Sequence, residues 1–135
     1  MKQHAADLLA AAEKALAQAH GVQGISYPDQ AARLAYSAMF HSAQALIFER
    51  TDQMSKTHKG VRSLFHKVAL SEPTINPQLP RDLTNTYRFK QAADYETGSA
   101  ATVTMQEGAN AIGKAETFVT LIRNLLSAPL DAQAP

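Results

Sequence analysis

The sequence predicts an all-α fold, an up-and-down bundle of about five helices in one domain. Three observations carry that expectation. Twenty-five of the 135 residues are alanine, which has the best helix propensity and lets neighbouring helices approach closely. Apolar residues recur at three- and four-residue steps, the period of an amphipathic helix. Tryptophan is absent and β-branched runs are few. A chain of this length buries roughly two-thirds of its unfolded surface in a single core, so residues 1–128 are read as one domain and 129–135 as a flexible tail.

The first helix is expected from about residue 2 to His20, with Ala5, Leu9, Ala12, Leu16 and Ala19 forming its stripe. Gly21 and Gly24 are read as its end. Pro28 and Asp29 then sit where a helix start favours them, proline in the first turn and a carboxylate near the positive dipole end. This second helix should run to about Arg50. It carries two apolar rows, Leu34, Ala38, His41, Ala45, Phe48 and Ala35, Met39, Ser42, Leu46, with Tyr36, Phe40 and Ile47 beside them. A helix so apolar around its circumference belongs at the centre of a bundle or in a dimer seam.

Thr51 to Lys56 reads as a connection, and a third helix follows to about Leu70 with Val61, Leu64, Phe65 and Val68 inward. The prolines of SEPTINPQLP cannot continue it. The fourth helix should begin near Pro80, hold Leu83 and Tyr87 inward, and run out after Tyr95 into a loop at Glu96 to Ser99. A fifth is expected over about Ala101 to Ser127, with the stripe Ile112, Ala115, Val119, Ile122 and Leu126, and with Gly108 and Gly113 as weak points.

Composition also excludes chemistry. Without cysteine there are no disulfides, no thiolate zinc sites and no cysteine nucleophile. A formal charge of +1 argues against broad wrapping of nucleic acid and leaves only a local basic patch to bind it. Asp7, Glu13 and Lys14 interrupt any signal-peptide core, and nothing approaches the ~20 apolar residues of a membrane span. A cytoplasmic protein without membrane attachment is expected. No Glu-x-x-His pair, P-loop or Gly-x-Ser-x-Gly elbow occurs, so neither a metal nor a cofactor is expected.

Candidate function concentrates in two places. Between Asp52 and Glu72 there is no carboxylate, while Lys56, His58, Lys59, Arg62, His66 and Lys67 crowd the third helix and its approach. Arg62 and His66, four apart, share a face. That pattern fits a solvated flank and equally an anion site for phosphate or a nucleic-acid backbone. On the fourth helix Tyr87, Gln91 and Asp94 align, and Arg88, Ala92 and Tyr95 form the neighbouring row. These rows fit a functional surface, or a structural one in which Arg88 pairs with Asp94 or another carboxylate and the tyrosines keep only their hydroxyls wet. His41 lies on an apolar row and reads as a hydrogen-bonded core residue; His4 and His20 read as surface residues.

Three segments in this order, YSAMFHSAQALIF at Tyr36 to Phe48, SKTHKGV at Ser55 to Val61 and YRFKQAADYE at Tyr87 to Glu96, resemble the HEPN family of small prokaryotic helical proteins. The resemblance implies a homodimer, with the polar residues of the fourth helix lining a cleft between subunits. It also implies a place beside a minimal nucleotidyltransferase, in a toxin–antitoxin or defence module. Ribonuclease members carry an arginine followed after four to six residues by a histidine. Arg88 matches the arginine, but Ala93, Asp94 and Tyr95 stand where the histidine belongs.

That departure matters chemically. Metal-free RNA cleavage needs proton transfer near neutrality, which histidine at ~6.5 supplies and aspartate at ~3.9 or tyrosine at ~10 does not. His58 is the candidate to replace the missing imidazole, with Arg88 as phosphate clamp. Some family members also have a tyrosine near the arginine modified by the nucleotidyltransferase, which Tyr95 resembles in position. The expected function is therefore binding of nucleotide or RNA phosphate by Arg88, Asp94, Tyr95, Tyr87, Lys59 and Arg62. An endoribonuclease toxin using Arg88 and His58, or a purely structural dimerisation domain, are the alternatives.

Overall fold

The structure is a computed structural model and describes residues 1–94 and 103–127. Among the described residues the chain forms five helices and no strand: α1 (Gln3–Gly24), α2 (Pro28–Thr51), α3 (His58–Leu70), α4 (Gln78–Asp94) and α5 (Met105–Ser127). The central helix is α2, which packs on each of the other four. Its two apolar rows are not equivalent. Ala35, Met39, Ser42 and Leu46 are buried, whereas Leu34, His41 and Phe48 of the other row are half-exposed. Ser42 can sit in this core because its hydroxyl donates to the Met39 carbonyl at 2.9 Å.

The helix ends are where local chemistry revised the expected boundaries. α1 passes through Gly21, around whose backbone the space is open, and continues far enough to bring Val22 against the core. Its start is tied to the far end of α2: the Lys2 amide donates to Glu49 Oε1 at 2.7 Å and the Lys2 ammonium pairs with Asp52 at 2.8 Å. Asp52 is itself the left-handed cap of α2, at φ 59°. α5 starts at Met105, later than the expected Ala101, because Thr104 and Glu107 form a capping box. The Glu107 amide donates to Thr104 Oγ1 at 3.0 Å and the Thr104 amide to Glu107 Oε1 at 3.1 Å.

Gly108 is a packing requirement as well as a weak point. A Cβ there would lie 2.9 Å from Pro28 Cβ and 3.1 Å from Pro28 Cα, so a side chain would push apart α5 and the start of α2. Gly113 faces open space. The α5 stripe Ile112, Ala115, Val119, Ile122 and Leu126 is buried as expected, joined by Phe118, whose ring packs 5.1 Å from that of Phe65 on α3. The loop expected at Glu96 to Ser99 and the tail from Pro129 lie outside the described residues.

Candidate functional site

α2 places Tyr36 and Phe40 one turn apart on the same face, and both are buried. α3 begins directly beside them. Thr57 caps it, its hydroxyl accepting from the Gly60 amide at 3.0 Å, so the THKG segment fixes where His58 stands. Gly60 is needed for this closeness, since a Cβ there would lie 2.7 Å from the capping Thr57 oxygen. His58 and Arg62, four apart, then face the same side of α3. α4 supplies Tyr87.

These five side chains form one cluster. The Tyr36 hydroxyl lies 2.9 Å from His58 Nδ1. The His58 ring stacks on Tyr87 with centroids 5.1 Å apart and planes 28° apart, and packs 4.7 Å from Phe40. Tyr36 and Tyr87 are 5.5 Å apart, and the Arg62 guanidinium carbon lies 4.4 Å from the Tyr87 ring centre, within cation–π range. Burial pushes the Tyr36 hydroxyl well above the ordinary tyrosine value; Arg62 opposes that rise and Tyr87 adds to it. Tyr36 therefore remains a neutral phenol at physiological pH, able to donate to Nδ1. In that arrangement His58 carries its own proton on Nε2.

Arg62 also belongs to a groove of about 690 Å³ between α3 and α4. Lys59, Arg62, His66 and Lys67 of α3 line it together with Arg81 of α4, and among the described residues no carboxylate does. The predicted anion face of Arg62 and His66 is thus one wall of a concave surface, a shape that a bound phosphate or carboxylate can enter.

Of the residues singled out by sequence, His58, Tyr87 and Arg62 come together, and Lys59 joins Arg62 on the groove. Arg88 does not join them. It is 67% exposed, 3.5 Å from Glu107 of α5, and its guanidinium carbon lies 4.6 Å from the Phe89 ring centre. The carboxylate beside it among the described side chains is therefore Glu107, from the next helix. Asp94 ends α4, and its side chain and Tyr95 lie outside the described residues.

The remaining histidines divide. His41 bonds Gln44 at 3.1 Å from a half-buried position. His20 pairs with Glu116 at 2.5 Å on the surface. His4, expected at the surface, is half-buried and edge-on to Phe48 at 4.9 Å. Among the described residues no group of three or more histidines and carboxylates could hold a metal, and no helix is long and apolar enough to cross a membrane.

Sequence reasoning missed Tyr36, Phe40 and Arg81 as neighbours of the candidate site. The four-residue step from Tyr36 to Phe40 was a signal, but two rings on a buried helix read as core.

Comparison with known proteins places the chain in a family. A Methanocaldococcus jannaschii protein named "Putative toxin MJ0605" is 36% identical over 100 residues, spanning 74% of this chain and 71% of that protein. The crystal structure of TT1696 from Thermus thermophilus shares the fold, with a TM-score of 0.72 at 20% identity, covering 91% of this chain and 98% of that one. The HEPN domain profile matches residues 5–125, so α2, the THKG cap and α4 all fall within it, and the chain belongs to the HEPN domain family.

Proposed function

We propose that this HEPN protein binds nucleotide or RNA phosphate as part of a toxin–antitoxin or defence module, acting as a homodimer beside a minimal nucleotidyltransferase. The observation that carries the reading is the position of Arg62. It packs on Tyr87, which is stacked on His58, and it lines a groove whose other charged groups, among the described residues, are all basic. A phosphate held by Arg62 and Lys59 gains charge-assisted hydrogen bonds, and the adjoining rings offer apolar surface to a base or ribose. The toxin name of the archaeal relative supports the module assignment.

The test is binding of a fluorescein-labelled single-stranded RNA 12-mer, and of ATP, at two salt concentrations. Arg62→Ala and Lys59→Ala are expected to weaken both ligands and to flatten the salt dependence by about one counterion each. Wild-type protein that bound neither ligand, or variants that bound as wild type does, would sink the proposal. Co-purification with a co-expressed minimal nucleotidyltransferase tests the partner.

His58 favours a second reading, the metal-independent endoribonuclease. Its ring has a defined partner at Nδ1 and a cation nearby, the elements that proton transfer and phosphate charge compensation require. In that reading His58→Ala relieves growth arrest on expression; equal growth of both strains removes the enzyme and leaves the binding module.

A further inference from the structure

The end of the groove away from Tyr87 has a different character. Leu70, Ile75, Pro77 and Pro80 contribute an aliphatic lining, and Lys67 of α3 and Arg81 of α4 line the groove with them. Leu70, the last residue of α3, is 78% exposed, more than any other large apolar side chain among the described residues. The helix could have ended on a polar residue without disturbing its buried face of Val61, Phe65 and Val68. Leu70 does not stand alone: with Ile75, Pro77 and Pro80 it makes an apolar surface rimmed by charge, the composition of a contact site.

The lining chemistry selects the kind of partner. Among the described residues no Phe, Tyr or Trp ring lines this end of the groove, so it lacks the stacking platform that Tyr87, beside Arg62, offers single-stranded nucleic acid at the other end. Leucine and proline surfaces instead match aliphatic side chains. The basic rim, with no lining carboxylate among the described residues, supplies charge complementarity to an acidic partner. A groove between two helices is also the setting in which an amphipathic helix lays down its apolar face, anchored at i, i+3/i+4 and i+7.

We propose that this aliphatic end of the α3–α4 groove docks an acidic amphipathic helix of a protein partner. Its leucine-type side chains seat on Leu70, Ile75 and Pro80, and its flanking carboxylates meet Lys67 and Arg81. The docking surface extends beyond the phosphate site, which it meets at Arg62. A protein partner and a nucleic-acid ligand can then occupy the two ends of one groove, and an acidic helix long enough to reach Arg62 displaces phosphate from it.

The test uses the full chain and a fluorescein-labelled synthetic helical peptide with leucines at i, i+3, i+4 and i+7 between glutamates. Controls are a scrambled peptide of the same composition and a version with lysine for glutamate. The peptide is expected to bind in a salt-dependent manner and both controls to fail. Leu70→Glu and Arg81→Glu should each weaken it by about tenfold, while RNA 12-mer binding by Leu70→Glu, whose site lies outside the basic lining, stays within about twofold of wild type, a change under ~0.5 kcal/mol. Circular dichroism checks that both variants fold.

Equal binding of the scrambled peptide, or unchanged binding by both variants, overturns the proposal. Loss of RNA binding in Leu70→Glu assigns the groove to nucleic acid and overturns it too. A change in oligomeric state of Leu70→Glu by light scattering gives the surface to a second copy of the chain, with the same consequence. Because the phosphate reading is tested by Arg62 and Lys59, either proposal can fail while the other stands.

Discussion

Tyr87 and Arg88 are neighbours on α4, yet they belong to different parts of the molecule. Tyr87 turns toward α2 and α3 and is held by His58, Tyr36 and Arg62 through ring contacts. Arg88 turns toward α5 and reaches Glu107 across 3.5 Å from an exposed position. A step of about 100° around a helix is enough to separate a shielded, multiply held group from one screened by water. Arg88 thus stands beside the candidate site, while a cation from another helix, Arg62, belongs to the cluster around Tyr87.

The largest expected effect lies on the Tyr87 side. Tyr36→Ala removes a fully buried ring and should cost about 3–5 kcal/mol, as buried aromatic-to-alanine changes do, measured by urea unfolding. A cost near that of a surface substitution would mean that the Tyr36–His58–Tyr87 cluster is not a fixed unit.

Tyr36→Phe separates the hydroxyl from the ring. Burial favours the neutral phenol and raises its value in the folded state. Its contribution is therefore whole below the unfolded tyrosine value of ~10 and is lost as pH rises beyond it. Wild type should exceed Tyr36→Phe in stability at pH 8, by about 1 kcal/mol for a hydroxyl hydrogen bond, and the gap should close at higher pH. A gap that stayed constant to the onset of alkaline unfolding would remove Tyr36 as the titrating group.

Thr57→Ala tests whether the α3 cap positions His58. Loss of the bond from the Gly60 amide should cost about 1 kcal/mol. The His58 ring resonances in an NMR spectrum should shift with it, while those of His41, held within α2 by Gln44, should not.

The two sides also differ in how far sequence could reach them. The helices were legible because burial repeats at the helical period: the Val61, Phe65 and Val68 stripe and the α5 stripe follow from spacing alone. The start of α5 was written in Thr104 and Glu107, a capping pair that lies outside any apolar stripe and so escapes a reading guided by hydrophobic period. Spacing also gave Arg62 with His66, and both line the groove. It could not give Arg62 with Tyr87, or Tyr36 with His58, because those meetings depend on how three helices pack. For the same reason spacing gathers Tyr87, Arg88 and Asp94 onto one broad surface of α4. Neighbouring helices divide the first two, and the Asp94 side chain lies outside the described residues.

The smallest expected effect is the most discriminating. Arg88→Ala removes an exposed ion pair with Glu107, and such pairs contribute about 0–1 kcal/mol. Glu107 keeps its place through the Thr104 capping box, so α5 should retain its start and the melting temperature should fall by only a few degrees at most. If Arg62 is the phosphate ligand, RNA binding by Arg88→Ala should fall far less than by Arg62→Ala, since Arg88 is engaged on the α5 side of the helix. A loss in Arg88→Ala equal to that in Arg62→Ala would reverse the comparison. It would mean that the RNA runs from the α3 side of α4 to its α5 side and meets both cations.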